Sequence, residues 1–477
     1  MPLSNTELLQ LFPFYIVGFG IIFSLILEMF FSKSKVILPY ITALIFISVA
    51  IYSIFNVQNH AIIFGGMLEL GGKTAVFNII FGLGAFVVTL SSINYIKKYG
   101  SFYGEYYILI QLAVLGMMIM AGSKDLFMVF MGLELMSISF YVLVGINRKR
   151  IGANEAAMKY FLLGAFATGF IVYGIALIYG AAQTTSIDFI TVNFSILSTN
   201  VLFVVGLVLF IIGFSFKIAA FPFHSWVPDV YQGSSTTITG LMSTTGKTAA
   251  FSVLIIILYA IFAGSLPNIL RPYFSAIAAF SMLFGSIVAI SQKNIKRMLA
   301  YSSISHAGYI SIGLAAGNSE ALAGMIFYLF AYTFMNLGAF GIISIIESEN
   351  ENDLELSSYM GLGNKSPMLA GLLSVFMFAL AGLPPLAGFF GKYYVFISAV
   401  KADLIWLALV GILASVISVY FYLRIVVYMY FKESVTDLKI KYNFPEIAAV
   451  VISAVIILFY GLLPQSLLTF IYYSLKF

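Results

Sequence analysis

Three lysines and one glutamate lie in apolar stretches where an ionisable group is costly. The sixteen residues before Lys217, Val201 to Phe216, carry no charge. Lys247 is followed by an uncharged run from Thr248 to Leu270, and Lys392 is preceded by one from Ser366 to Gly391. Glu134 is the lone charge within Leu126–Asn147. A charged group at bilayer depth costs roughly 2.5–3.5 kcal/mol on insertion scales, and such groups mark ion or proton pathways. In low dielectric the charged forms of amines and carboxylates are disfavoured, so both protonation states come within reach near neutral pH. A carboxylate beside an ammonium holds it charged, and withdrawing the carboxylate releases the proton. Glu134 and Lys217 have the types for such a switch, or for a static ion pair that holds two helices together.

Other polar groups are candidates for the same chemistry. His306 follows Ser302, Ser303 and Ser305, and either relays protons or packs as a satisfied core histidine. His224, in a proline-flanked segment, has the same two readings. Lys247 has Ser243, Thr244, Thr245 and Thr248 as neighbours, with Ser234, Ser235, Thr236, Thr237 and Thr239 upstream. These hydroxyls line a hydrated path or bond the adjacent backbone. Lys159 and Arg424 lie near the inner ends of their helices and read as snorkelling side chains. The acidic run from Glu347 to Glu355 reads as a solvated loop, and His60 as a surface residue beside an outer hairpin at Ile62–Lys73.

The elements that hold these groups are membrane helices. Hydrophobic residues make up 61% of the 477 and charged residues 9%, against about 25% charged in soluble domains. Apolar runs of about 20 residues, the length of a spanning helix, recur along the whole chain. About fourteen are expected, centred near residues 21, 46, 84, 113, 136, 166, 211, 250, 281, 307, 332, 382, 417 and 457. The fold class is an all-α polytopic membrane protein. Loops after odd-numbered helices hold about fourteen basic residues, among them Arg148, Lys149, Arg150, Lys293, Lys296 and Arg297, and the others about five. The positive-inside rule then puts both termini outside, the periplasm in a bacterium. The net charge of +5 follows from this flanking pattern and implies no nucleic-acid partner.

The chain has no cysteine, which excludes disulfides, thiolate-bound iron–sulfur clusters and cysteine nucleophiles. Its three histidines argue against a zinc or multi-haem centre, and no glycine-rich dinucleotide fingerprint is present.

The spacing of rare groups suggests duplication. Glu134, Lys217 and Lys247 are separated by 83 and 30 residues, and His306, Lys392 and Arg424 by 86 and 32. Pro222 follows Lys217, and Pro384-Pro385 precede Lys392. Prolines remove backbone donors and stop a helix, and irregular backbone at that depth is tolerated only inside protein or beside water. Two five-helix units, 106–265 and 266–435, are expected between an N-terminal three-helix segment, 1–105, and a last helix, 436–477. Five is odd, so the units have opposite orientations, the inverted-repeat plan of transporters.

The motifs carry a family resemblance. Phe216-Lys217-Ile-Ala-Ala-Phe-Pro222-Phe223-His224-Ser-Trp226-Val-Pro228-Asp229 resembles the antiporter-like subunits of respiratory complex I and of Mrp-type sodium/proton antiporters. Gly132-Leu133-Glu134-Leu135, the segment Lys296 to Tyr309, and Leu383-Pro384-Pro385-Leu-Ala-Gly388-Phe389 match as well. Within that superfamily the chain is most similar to the N-type subunits of bacterial NADH:quinone oxidoreductase. Lys392 stands where an M-type subunit is expected to have Glu, and no long lateral helix follows the last span. The resemblance implies that Glu134, Lys217, Lys247 and Lys392 carry protons, with His306 assisting. It further implies a hetero-oligomer in the bacterial inner membrane, with an adjacent antiporter-like subunit and small membrane subunits as partners. FMN, iron–sulfur clusters and quinone reduction would then belong to other subunits, with no cofactor on this chain. An Mrp-type cation/proton antiporter subunit is the alternative.

Overall fold

The structure, a computed structural model, describes residues 5–31, 34–98, 104–262, 270–347, 351–434, 440 and 442–475. The extreme termini, whose sidedness the charge pattern addresses, and residues 348–350 of the acidic run lie outside the described residues. The fold is an all-α polytopic membrane bundle. Its main helices are α1 (Phe12–Phe30), α2 (Ser34–Phe55), α3 (Gly72–Lys98), α4 (Glu105–Gly122), α5 (Leu126–Val144), α6 (Ile151–Ala182) and α7 (Val201–Lys217). Then come α8 (Val227–Gly233), α9 (Thr236–Leu241), α10 (Lys247–Phe262), α11 (Leu270–Ser291), α12 (Ile295–Ala316) and α13 (Ser319–Ile346). The last are α14 (Pro367–Ala381), α15 (Ala387–Lys401), α16 (Ile405–Phe431), α17 (Phe444–Leu462) and α18 (Pro464–Ser474).

Among the described residues, eleven helical segments are long and apolar enough to cross a membrane. The difference from about fourteen has physical causes. Breaks leave α7 and α14 short, and α12 is made polar by Lys296, Arg297, His306 and four serines. Helix ends follow local chemistry. Asp125 accepts hydrogen bonds from the Phe127 and Met128 amides at 2.9 and 3.2 Å and starts α5. Asn294 caps α12 in the same way, as its short side-chain oxygen allows.

Two central elements are fully enclosed, α13 and the segment Thr236–Tyr259. α13 is largely apolar on all sides, as buried helices are, whereas Thr236–Tyr259 encloses Lys247 and a series of hydroxyls. Peripheral helices α1, α6 and α16 instead turn large apolar side chains outward, such as Phe19, Phe166 and Val416. Crossings without side-chain spacers bring backbones together. A Cβ on Gly174 of α6 would meet the Gly206 carbonyl of α7 at 2.6 Å, and one on Gly206 would meet the Gly174 carbonyl at 2.7 Å. That pair sets where α7, and with it Lys217, lies.

Between α2 and α3 the strands Ala61–Ile63 and Leu68–Leu70 pair antiparallel. Gly65 and Gly66, with φ of 67° and 96°, make the turn. His60 is exposed, as expected, and bonds Glu69 Oε1 at 3.1 Å. Glu69 is buried and also pairs with Lys73 at 3.0 Å. Burial alone would push its carboxyl up, but Lys73, His60 and Lys124 together bring it below the usual range. A depressed carboxylate stabilises the fold above its unfolded pKa, near 4.3, and that contribution is lost as pH falls through the folded value. Protection of the hairpin amides, relative to their intrinsic exchange rates at each pH, is therefore expected to stay flat from neutral pH down to about 5. E69Q is expected to lower that protection at neutral pH, as would lowering the pH below 4 for the unaltered chain.

Candidate functional site

The three lysines picked out by their isolation are buried where the helices are broken or distorted. Lys217, Lys247, Lys392 and His306 are 7%, 3%, 4% and 2% exposed. Glu134 is half-buried.

Lys247 follows a π-helical turn, Met242–Gly246, that joins α9 to α10. Such turns concentrate at functional positions. The Ser243, Thr244 and Thr245 hydroxyls donate to carbonyls of Gly240 and Leu241 one turn back. They satisfy their own helix, so Lys247 reaches across to α12. Its Nζ donates to the Ser303 carbonyl at 3.0 Å and meets Ser303 Oγ at 2.5 Å.

Helix α12 carries the next groups on one face. Ser303, His306 and Tyr309 recur at three-residue spacing, which stacks side chains along a helix. His306 Nδ1 bonds the Tyr328 hydroxyl at 2.9 Å, and Nε2 bonds that of Tyr422 at 3.0 Å. Tyr422 also bonds Ser302. The Tyr309 ring lies 5.7 Å from the His306 ring, and Lys392 Nζ sits 4.8 Å over that tyrosine. Ser303, His306 and Tyr309 thus form a polar line from Lys247 to Lys392.

Lys392 sits against the second break. Gly382, with φ of 84°, ends α14, and Pro384-Pro385 prevent immediate continuation. The Ala381 carbonyl freed there accepts from Lys392 Nζ at 2.9 Å, and Ser415 Oγ lies at the same distance. The peptide bonds Phe221–Pro222 and Pro384–Pro385, one in each break, are cis.

Lys217 ends α7 just before the first break. Its Nζ meets Ser137 Oγ at 3.1 Å and the Tyr141 hydroxyl at 3.5 Å. Both lie on α5, which also carries Glu134, and Ser137 is three residues beyond it. Glu134 and Lys217 form no ion pair within 4.0 Å. Glu134 Oε1 has no hydrogen-bond partner among the described residues, which argues against the static pair. Trp226 Nε1 ties the break back to the Phe216 carbonyl at 3.2 Å.

Other candidates separate from this line. His224 is half-buried between the Phe221 and Phe284 rings, at 5.4 and 4.6 Å, away from the lysine ammonium groups' partners. Lys159 pairs with Asp229, which also accepts from Arg297 at 2.7 Å. Arg424 is partly exposed. It donates to the Ile290 and Gln292 carbonyls at 2.8 and 2.9 Å, where α11 ends. Glu347 corrects the reading of the acidic run as solvated, because it is 1% exposed and bonded to Arg150 at 3.3 Å. Tyr309, Tyr328, Tyr422 and Ser415 were not anticipated. Only the spacing of Tyr309 from His306 and Ser303 signalled one of them. Among the described residues, no cluster of three or more His, Cys, Asp or Glu side chains is arranged to hold a metal ion.

A polytopic helical bundle with buried lysines at helix breaks defines the class of antiporter-like membrane subunits. Residues 123–418 match the transmembrane family described as NADH:quinone oxidoreductase/Mrp antiporter. NADH-quinone oxidoreductase subunit N 1 of Chloroherpeton thalassium is 43% identical over 420 residues, 87% of each chain. Subunit N of Trichlorobacter lovleyi is 42% identical over 448 residues, covering 93% of this chain and 92% of its own. The chain belongs to the NADH-quinone oxidoreductase subunit N family. A subunit of respiratory complex I from Thermus thermophilus, solved with bound aureothin, superposes with a TM-score of 0.82. It is 31% identical, over 96% of this chain and 98% of its own. A chain of the Mrp complex from Dietzia shares the fold at a TM-score of 0.87 and 20% identity, over 98% and 97% of the two chains.

The paired tyrosines allow a discriminating experiment. Y422F removes a buried hydroxyl shared by Ser302 and His306, and is expected to cost about 1–3 kcal/mol. Y309F removes a hydroxyl that forms no hydrogen bond among the described residues and keeps the ring beside Lys392, so it is expected to be near neutral. Thermal unfolding in detergent reads both.

Proposed function

We propose that this chain translocates protons in the membrane arm of an NADH:quinone oxidoreductase, through Glu134, Lys217, Lys247, His306 and Lys392. The observation that carries the reading is the polar line along α12 from Lys247 through Ser303, His306 and Tyr309 to Lys392. Glu134 governs the charge state of Lys217 from the neighbouring helix, and His224 stands outside the main line. Redox energy released on other subunits displaces charge along this row and changes which lysine holds its proton.

The domain plan belongs to the same proposal. Units 106–265 and 266–435 act as inverted five-helix repeats, flanked by segments 1–105 and 436–477. Support comes from the two proline breaks, each beside a buried lysine, at 218–226 and 382–386. The chain works in a bacterial inner membrane with both termini periplasmic, as its basic loops favour. Its partners are an adjacent antiporter-like subunit and small membrane subunits. FMN, iron–sulfur clusters and the quinone chamber reside on other chains, in keeping with a sequence without cysteine.

Two measurements test this. In the assembled complex, K217M or K247M is expected to lower NADH-driven proton pumping at least tenfold, about 1.4 kcal/mol of barrier. Pumping at the unaltered rate in both variants would reject the pathway. The isolated chain in liposomes is expected not to exchange sodium for protons; robust exchange would favour the Mrp-type alternative.

A further inference from the structure

The acidic side chain that best fits an intake role lies at the basic end of the bundle. Glu347 follows the last residue of α13, where the carbonyl end of the helix is unfavourable for an anion. Neither capping nor the macrodipole accounts for a buried carboxylate there. Three elements converge on it instead. Arg150, at the start of α6, pairs with Oε1 at 3.3 Å. Tyr95 of α3 donates to Oε2 at 2.9 Å, and the Thr236 hydroxyl at the start of α9 donates to the same oxygen.

The outer partner of this group reaches water. Arg150 lines a polar cleft of about 220 Å3 that also contains Lys159, Asp229 and Arg297. Arg150 and Gly233 line a second, smaller cavity of about 20 Å3, shared with Tyr95 and Ser235. That is room for about one water molecule. The inner partner leads toward the central lysine. Thr236 opens the helical segment that runs through the π-turn to Lys247. Alongside it, Ser234 and Thr239 hydroxyls bond each other at 2.7 Å, and Thr237 bonds the Tyr106 hydroxyl at 2.8 Å. The Tyr231 and Tyr332 hydroxyls approach Ser303, the partner of Lys247, without bonding it.

We propose that Glu347 is the proton-loading residue of an intake route from the Arg150 cleft to Lys247, resting on the proton-pathway reading above. A hydronium in the cleft gives its proton to the Glu347 carboxylate, forming an O–H bond and releasing Arg150 from its ion pair. Transfer through Thr236 and intervening hydroxyls or water then restores the carboxylate and forms an ammonium at Lys247.

The test uses the assembled complex in proteoliposomes, with protons pumped per electron as the readout and K247M as reference. E347Q is expected to assemble and to lower that ratio about tenfold at unchanged quinone affinity. E347D, which keeps a titratable oxygen, is expected to recover part of it. The double variant R150Q/E347Q removes both charges, so it restores pumping only if Glu347 is a mere counter-ion; no restoration is expected. Normal pumping by E347Q while K247M fails would overturn the intake assignment and leave the pathway standing. Normal pumping by both would overturn the two together. Should E347Q not assemble, infrared difference spectra of E347D against the unaltered complex decide. A turnover-linked carboxyl band that shifts with the substitution supports the assignment, and an unshifted spectrum overturns it.

Discussion

The Ala381 carbonyl, set free where α14 stops, receives its hydrogen bond from Lys392 Nζ across the break. Each half of this contact is costly alone. An unpaired carbonyl within the bilayer costs several kcal/mol, and a lone ammonium there costs roughly 2.5–3.5 kcal/mol. Together they answer each other, which is why a proline-broken helix and a buried lysine occur in the same few residues. Lys247 also donates to a backbone carbonyl, that of Ser303, but within the unbroken α12. The helix arrangement around it is what lets those groups meet: α12 is almost wholly enclosed, so its polar face is turned to protein.

Isolation is what made the central groups legible in the sequence. Lys217, Lys247, Lys392 and Glu134 each stand alone in a run without other charges, and all four lie inside the bundle. The prolines at 222 and 384–385 likewise marked the places where helices stop. The same signal fails where charges are dense. Glu347 begins an acidic run, which reads as a solvated loop, and Lys296 belongs to a basic one, which reads as a loop flanking a helix. Yet Glu347 is buried, and Lys296 is enclosed with Nζ 2.6 Å from the Ser234 carbonyl. Tyr328 and Tyr422 were hidden for another reason. Aromatic residues make up 17% of the chain, so a tyrosine stands out only when its tertiary partner is known.

The partners of the lysines bear on what those lysines do. An ammonium has three donors, and a neutral amine keeps two and gains one acceptor site. Lys392 and Lys247 each meet one carbonyl and one serine hydroxyl, and Lys217 meets two hydroxyls. A hydroxyl both donates and accepts, so either form of the amine keeps both contacts without moving a heavy atom. Ser415 has its alternative in place, since its Oγ also lies 3.4 Å from the Ala381 carbonyl. It donates there when the ammonium donates to it, and turns to the amine when the proton has left. A carboxylate at that distance would favour the charged form alone. Hydroxyls as partners, with the carboxylate of Glu134 held beyond ion-pair range, suit groups that change protonation state within a fixed scaffold.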